Sequence, residues 1–418
     1  MLVFKFGGAS VKDANGLANL ANVVKKYAGN QLLIVVSAMG KTTNALEKLT
    51  KAYTEQSDEV YTLFENIKQY HYAILSELFE PGDSIFDEVA NTFVEIDWII
   101  EDEPHDAYDF IYDQLVSVGE LVSSRIVNAY LNKTGLKSSW LDARGYIHTD
   151  NTYREGVVQW DKTCKSISND IPPLLQNGII VTQGFLGGTS ENFTTTLGRE
   201  GSDYTASIFA SCLGAESVTT WKDVPGILNA DPKFFPDTIK FDELSYSEAI
   251  EMTYYGASVI HPKTIKPLQN AKIPLLVKSF TDPDAAGTII KEGGINCFTK
   301  PVIILKQNQV LLSLSAKDYS FISEDHLSGI FGLFAQNRVK VNMMQTSALS
   351  FTVCFDLYEE RFVKLFEGLS QDFKVKYNTG LILITVRHYS EDSLKELTAG
   401  KTVLLEQVSR NTLQMVVK

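Results

Sequence analysis

Short apolar runs that alternate with segments of helical period constrain this chain more than any other feature. Leu2 to Phe6 reads as a strand, Gly7-Gly8 as a turn and residues 16–28 as a helix. Gln31 to Ser37 follows as a short apolar run suited to a buried strand. The alternation resumes with a helix at 118–132, a strand at 137–141, a helix at 160–177 and a strand at 178–182 that ends on Gly184, Gly187 and Gly188. A helix at 203–213, a strand at 217–220, helices at 245–255 and 257–270 and a strand from 274 to 277 complete the series. Such an order means an α/β fold with a mostly parallel central sheet.

The pattern changes near residue 293. Gly293-Gly294 and Lys300-Pro301 read as a linker, so a first domain is expected over 1–292 and a second region over 300–418. That region predicts strands at 309–315, 341–347 and 350–356 around a helix at 325–337. A second round has helices near 360–369 and 390–397 and strands near 373–377, 380–386, 402–408 and 412–417. Two small tandem α+β modules account for it.

A chain of 418 residues is long enough for two or three domains. No stretch nears the ~20 apolar residues of a membrane span, and the chain opens directly on a strand without a leader, so a cytoplasmic protein is expected. Cys164, Cys212, Cys297 and Cys354 are scattered, which predicts buried reduced thiols and neither a disulfide framework nor a zinc site. The net charge of −13 is local: residues 53–115 hold 17 acids and a single base, Lys68, whereas the remainder holds 34 acids and 37 Lys or Arg. Tyr61, Phe64, Ile74, Leu75, Leu78 and Phe79 recur there at helical spacing, so the segment reads as an inserted helical module with a solvated acidic face. No basic stripe exists for nucleic acid.

Six blocks carry chemistry. Lys5-Phe6-Gly7-Gly8-Ala9-Ser10 sets a lysine at a strand end beside glycines that let backbone N–H groups approach an anion. Ser37 to Asn44 contains Gly40-Lys41-Thr42, but Val35 stands where a phosphate loop needs its first glycine, so that reading is rejected; Thr42 or Thr43 would cap the next helix. Gly119-Glu120 puts an anion among apolar neighbours, either answering a helix dipole or gripping a substrate ammonium. Thr196 to Ala206 packs Arg199, Ser202 and Asp203 between glycines before a helix, an arrangement able to bind a carboxylate and to organise Mg²⁺ or Lys5. Trp221 to Lys233 is turn-rich, and Gly256 to Lys263 holds His261 before a proline.

In this order and spacing the six blocks resemble the aspartate kinases of the amino acid kinase family, over about residues 1–292 and more loosely, as paired ACT modules, to the end. The resemblance implies an amino acid kinase fold, ATP with Mg²⁺ as cofactors, and transfer of the γ-phosphoryl group to the side-chain carboxylate of L-aspartate. It implies that Lys5 stabilises the transferring group, with Gly7 and Gly8 beside it, and that Asp203 organises phosphates and lysine. Thr43, Glu120 and Arg199 match substrate contacts supported by Ser37, Phe185 and Ser202. Lys222, Asp223, Leu228 and Lys233 fall at nucleotide positions. Ser258 stands where many relatives carry a nucleotide-contacting lysine, which Lys263 would replace, and Glu200 replaces a usual glycine. No residue is assigned as a metal ligand.

The residue types suit that chemistry. A carboxylate nucleophile is ionised at neutral pH and needs no general base, so positioning and charge stabilisation suffice. Kinases of the same fold that act on glutamate, acetylglutamate, carbamate or a nucleoside monophosphate are the rival reading; a non-catalytic amino-acid sensor is another. In the C-terminal region, Asn342, Thr346 and Ser347 resemble the segment where these kinases bind a feedback amino acid. Lysine and threonine are both expected effectors, although lysine-inhibited relatives carry an aspartate in place of Asn342. A homodimer through the ACT modules is implied as well.

Overall fold

The computed structural model describes all residues except 258–259, 295–299, 319 and 391–396. Ser258, Cys297 and most of the helix expected near 390–397 therefore lie outside the described residues. The chain forms two compact units: Met1–Ile227, Lys240–Ile250 and Val259–Asn296 make the first, and Leu228–Ile239, Glu251–Ser258 and Cys297–Lys418 the second.

The strands of the first unit are β1 (Leu2–Phe6), β2 (Leu32–Val36), β3 (Ser138–Leu141), β4 (Ile179–Gln183), β5 (Leu186–Gly188), β6 (Thr194–Thr196), β7 (Ser217–Lys222), β8 (Glu243–Ser245), β9 (Leu275–Ser279) and β10 (Thr288–Lys291). All but the β5–β6 hairpin join one sheet in the order β3-β4-β2-β1-β7-β9-β10-β8. It is parallel from β3 to β9, and β10 runs antiparallel to β9. Every residue of β2 is buried, as expected of a strand covered on both faces. The chain leaves β1 for β2 on one side and leaves β7 for the strands on the other, so the carboxyl ends of those two strands frame the crevice where open α/β sheets hold ligands.

The helices are α1 (Ala14–Lys25), α2 (Thr42–Thr54), α3 (Val60–Leu78), α4 (Ile85–Glu101), α5 (Tyr108–Val116), α6 (Val118–Lys133), α7 (Trp160–Leu175), α8 (Gly201–Leu213), α9 (Tyr246–Tyr255) and α10 (Pro262–Ala271). The acidic segment forms α3, α4 and α5, and its apolar side is continuous with the main core: Phe64, Ile74, Leu75, Phe93 and Ile96 share one cluster with Phe4, Val36 and Leu46. Tyr61, grouped with that apolar face by spacing, is 64% exposed. Asp113 departs from the solvated pattern: it is fully buried and accepts from the Arg154 N–H, the Thr196 N–H and the Thr196 hydroxyl. Burial pushes its carboxyl up to about 6, with those hydrogen bonds pulling it down. It fastens β6 immediately before the loop that carries Arg199.

The expectation of reduced thiols fails at two positions. Cys164 on α7 and Cys212 on α8 form a disulfide, while Cys354 is free and buried. Helices far apart in the chain pack side by side, and spacing alone does not reveal that contact. The bridge closes a loop with a sequence separation of 48, which chain entropy values at about 4 kcal/mol. Titration of denatured, air-oxidised protein with a thiol reagent is expected to detect two thiols fewer than after reduction. Reduction should lower the melting temperature, and the same reduction should leave the Cys164→Ser variant unchanged.

The second unit contains β11 (Val302–Ala316), α11 (Glu324–Gln336), β12 (Val341–Thr346), β13 (Phe351–Asp356), α12 (Glu359–Asp372), β14 (Phe373–Arg387), β15 (Val403–Val408) and β16 (Thr412–Val417). One six-stranded antiparallel sheet, ordered β12-β13-β11-β14-β16-β15, serves both modules. The strands expected at 373–377 and 380–386 are one continuous β14. The polar interruption between them is a register shift against β11, where Asn308 takes a φ of 54°. Three buried clusters lie on this sheet among the described residues: one around Ile330, Phe334, Phe351 and Leu365, another around Ile384, Leu413 and Met415, and a third around Met343, Cys354 and Leu383. Phe331 on α11 is 39% exposed while its ring meets Phe351 of β13 edge-on, with centroids 5.7 Å apart.

Candidate active site

The site grows from the ends of β1 and β7. Lys5 on β1 is in register with Thr220 on β7, and Lys222 lies two residues further along β7. Between the two lysines stands Asp203, in the first turn of α8. Its Oδ1 is 2.8 Å from the Lys5 Nζ and its Oδ2 3.1 Å from the Lys222 Nζ. Lys5 and Asp203 are both buried. Burial alone would raise the Asp203 carboxyl, but Lys5 and then Lys222 hold it down at about 2. A buried anion of this kind survives because two cations and their hydrogen bonds satisfy it.

The glycines make room for this cluster. A side chain at Gly8 would meet the carbonyl oxygens of Ala38 and Gly40 at 2.6 and 2.9 Å, and one at Gly7 would lie 3.5 Å from the Lys5 ammonium. Gly184 is packed equally hard: an added Cβ would stand 2.4 Å from the Cβ of Ser202. The turn after β1 and the start of α8 therefore approach their neighbours through backbone alone.

Glu120, on the first turn of α6, enters from another side. Its Oε1 accepts from the Ala38 N–H at 3.3 Å, and its buried Oε2 has no hydrogen-bond partner among the described residues. Burial pushes its carboxyl up to about 8, against the pull of backbone hydrogen bonds and of the Lys5 charge. A buried carboxyl oxygen without a partner is uncommon in a folded chain and marks this group as a candidate for contact with a ligand. Ser37 sits at the end of β2, where its carbonyl accepts from the Ser123 hydroxyl at 2.7 Å.

The loop from Leu197 to α8 brings Arg199 and Glu200. Arg199 is exposed. Glu200 occupies the N-cap of α8 with φ 54° and ψ 28°, left-handed for a non-glycine residue, and its side chain does not cap the helix. Burial raises its carboxyl, while Lys222, Lys5 and Arg199 pull it down and Asp203 adds to the rise. Phe185 also has a positive φ, 73°, and its N–H donates to the Thr205 hydroxyl at 2.9 Å. Ser202 is buried in the first turn of α8. Lys263, in the first turn of α10, lies near this loop: a Cβ on Gly198 would be 3.5 Å from its ammonium.

Other expectations resolve differently. Neither Thr42 nor Thr43 caps α2; Lys41 holds the N-cap position, and the Thr42 hydroxyl donates back to the Met39 carbonyl at 2.6 Å, leaving Thr43 half-buried in the first turn. His261 is the N-cap of α10, its Nδ1 accepting from the Lys263 N–H at 3.2 Å. Asp223 is exposed just after β7. Leu228 and Lys233 belong to the second unit, where Lys233 is exposed and its N–H donates to Asp231. Sequence reasoning missed Asp113 because nothing distinguishes it from the 16 other acids of residues 53–115; only burial does.

The effector residues are not gathered. Asn342 is bound up within the second unit: its Oδ1 accepts from the Lys306 Nζ at 2.8 Å, and its Nδ2 donates to Gln309 at 2.8 Å and to Asp356 at 3.1 Å. Thr346 lies four residues along β12, about 13 Å away. Ser347 is exposed in the β12–β13 turn, bonded to Ser350.

A lysine–carboxylate cluster at the carboxyl ends of parallel strands, beside a helix N-terminus, is suited to binding an anionic ligand. The chain belongs to the amino acid kinase family, whose model matches residues 1–279. Within that family it is similar to aspartokinases. It is 32% identical over 356 residues to the lysine-sensitive aspartokinase 3 of Escherichia coli (strain K12), covering 85% of this chain and 78% of that protein. It is also 32% identical over 367 residues to chloroplastic aspartokinase 2 of Arabidopsis thaliana, covering 85% of this chain and 66% of that one. The crystal structure of E. coli aspartokinase III in complex with aspartate and ADP (R-state) matches with a TM-score of 0.85 and 29% identity, covering 100% of this chain and 96% of that one. The same enzyme in complex with lysine and aspartate (T-state) matches at 0.81 and 28%, covering 100% and 95%. Among the described residues no helix is long and apolar enough to cross a membrane.

Proposed function

We propose that the chain is an aspartate kinase that transfers the γ-phosphoryl group of ATP to the β-carboxylate of L-aspartate, giving 4-phospho-L-aspartate and ADP. The observation that carries this reading is the buried Lys5–Asp203–Lys222 cluster at the carboxyl ends of two adjacent parallel strands. An aspartate carboxylate oxygen forms the new bond to the γ-phosphorus. The bond from that phosphorus to the β–γ bridging oxygen breaks, and ADP leaves with the electron pair. No proton has to be removed from the nucleophile. Lys5 meets charge developing on the transferring oxygens, and Asp203 fixes Lys5 and Lys222 in place. Glu120 pairs with the aspartate ammonium and Arg199 with a carboxylate. Lys222, Asp223, Leu228, Lys233 and Lys263 serve the nucleotide.

Mg²⁺ is part of the proposal. Asp203 and Glu200 are the carboxylates of the cluster, and a cation carried mainly on nucleotide phosphates would meet them on the protein side. When bound, it would neutralise phosphate charge.

The second unit is proposed to sense an end-product amino acid. The Asn342 amide, already engaged by its neighbours, weakens any grip on an effector ammonium, so lysine inhibition is expected to need higher concentrations than a carboxylate at that position would give. β12 is an edge strand, with Met344 50% exposed on it and Leu349 47% exposed in the following turn, which supports pairing with a second copy of the chain. A cytoplasmic setting belongs to the same reading. An ADP-release assay across aspartate, glutamate, acetylglutamate and UMP is expected to show turnover with aspartate alone. Lysine or threonine should reduce it. Turnover with another acceptor and none with aspartate would overturn the reading.

A further inference from the structure

We propose that Glu200 makes this site select the metal-complexed nucleotide over the free one. The inference rests on the kinase reading and goes beyond it, because that reading gives Glu200 no part in choosing between forms of the nucleotide. Three observations support it. Glu200 holds a left-handed backbone conformation that glycine adopts without strain, so a glutamate there carries a local cost. Its side chain does not recover that cost as a helix cap. Its Oε2 is buried with no hydrogen-bond partner among the described residues.

The charges around Glu200 come from every element of the cluster: Lys222 from β7, Lys5 from β1, Asp203 from α8 and Arg199 from its own loop. Glu200 is thus a second carboxylate at the place where a polyphosphate must meet two lysines. It opposes a nucleotide that arrives with its full negative charge. A divalent cation on the phosphates cancels two of those charges and offers the orphaned Oε2 a partner, so the same carboxylate that repels free nucleotide tolerates or favours the complexed form.

The test is calorimetric titration of the full chain with ADP, in EDTA and in excess Mg²⁺, for wild type, Glu200→Gly and Glu200→Gln. Glycine suits the left-handed backbone, and glutamine keeps the shape and strain while removing the charge. Both variants are expected to bind metal-free ADP about tenfold more tightly than wild type, the effect of removing one nearby partly screened like charge. With Mg²⁺ the three proteins should agree within about threefold, or the variants should bind more weakly. Unchanged affinity for metal-free ADP overturns the inference, as does an equal gain for both forms, provided wild type binds Mg²⁺–ADP. Wild type that binds neither form would remove the kinase reading, and this inference with it.

Discussion

Replacing Lys5 with alanine is expected to lower kcat by about a thousandfold with little change in melting temperature. Lys5 lies against Asp203 and beside Gly7, where its ammonium faces the position assigned to the transferring phosphoryl group. The fold should tolerate the loss. β1 is held by backbone pairing to β2 and β7 on both sides, and Asp203 keeps Lys222 as a partner, so the buried carboxylate is not orphaned. Asp203 should lose part of the depression that two lysines impose. Steady-state kinetics with both substrates, together with circular dichroism, measure the two effects separately. A variant that retains more than a few per cent of wild-type kcat would remove Lys5 from its assigned role.

Glu120→Gln should separate function from stability, because the two respond to this carboxyl with opposite sign. In the folded chain the group titrates near 8, well above the ordinary 4.5. Between those values the folded chain holds a proton that the unfolded chain has released, so stability falls as pH rises from 4.5 through 8. The cost at alkaline pH scales as ~1.4 kcal/mol per pKa unit, a few kcal/mol in all. Glutamine cannot ionise, so the variant should be as stable as wild type near pH 5 and more stable near pH 8. Aspartate binding should move the other way. An ammonium needs the carboxylate form, so the wild-type KM for aspartate should fall as pH rises toward 8, whereas the variant KM should be nearly independent of pH, close to wild type near pH 6 and about a hundredfold higher at the alkaline end. Melting temperatures and KM values across pH 6 to 9 test this together. A variant with wild-type KM at pH 8 to 9 would place the ammonium elsewhere.

Much of this molecule is legible in the order of its amino acids. Strand and helix periods give the parallel sheet, since a buried strand such as β2 must be apolar at every position and a covering helix apolar on one side. Lys5, Glu120, Arg199 and Asp203 stand out because each is a charged residue next to glycines or within an apolar segment, where a charge has no place without a partner. The sequence also marks Glu200 as a departure in a glycine-rich turn, but not that its carboxylate is buried beside two lysines.

What only the tertiary structure decided are the relations between segments distant in the chain. Lys222, expected at a nucleotide position, is also the second clamp on Asp203, because parallel pairing of β1 with β7 sets the two lysines on either side of the α8 terminus. Cys164 and Cys212 meet because α7 and α8 pack side by side, although their spacing resembles no framework. Asp113 differs from its acidic neighbours only in being buried where β6 needs an anchor. Asn342 is held by Lys306, Gln309 and Asp356 from other strands of its sheet, while Thr346 and Ser347 stay apart from it at an exposed turn. Local pattern fixes which face of an element is apolar and where a turn must fall. Which charge meets which, and which of them loses its water, depends on strand order and helix packing, and those are properties of the folded chain alone.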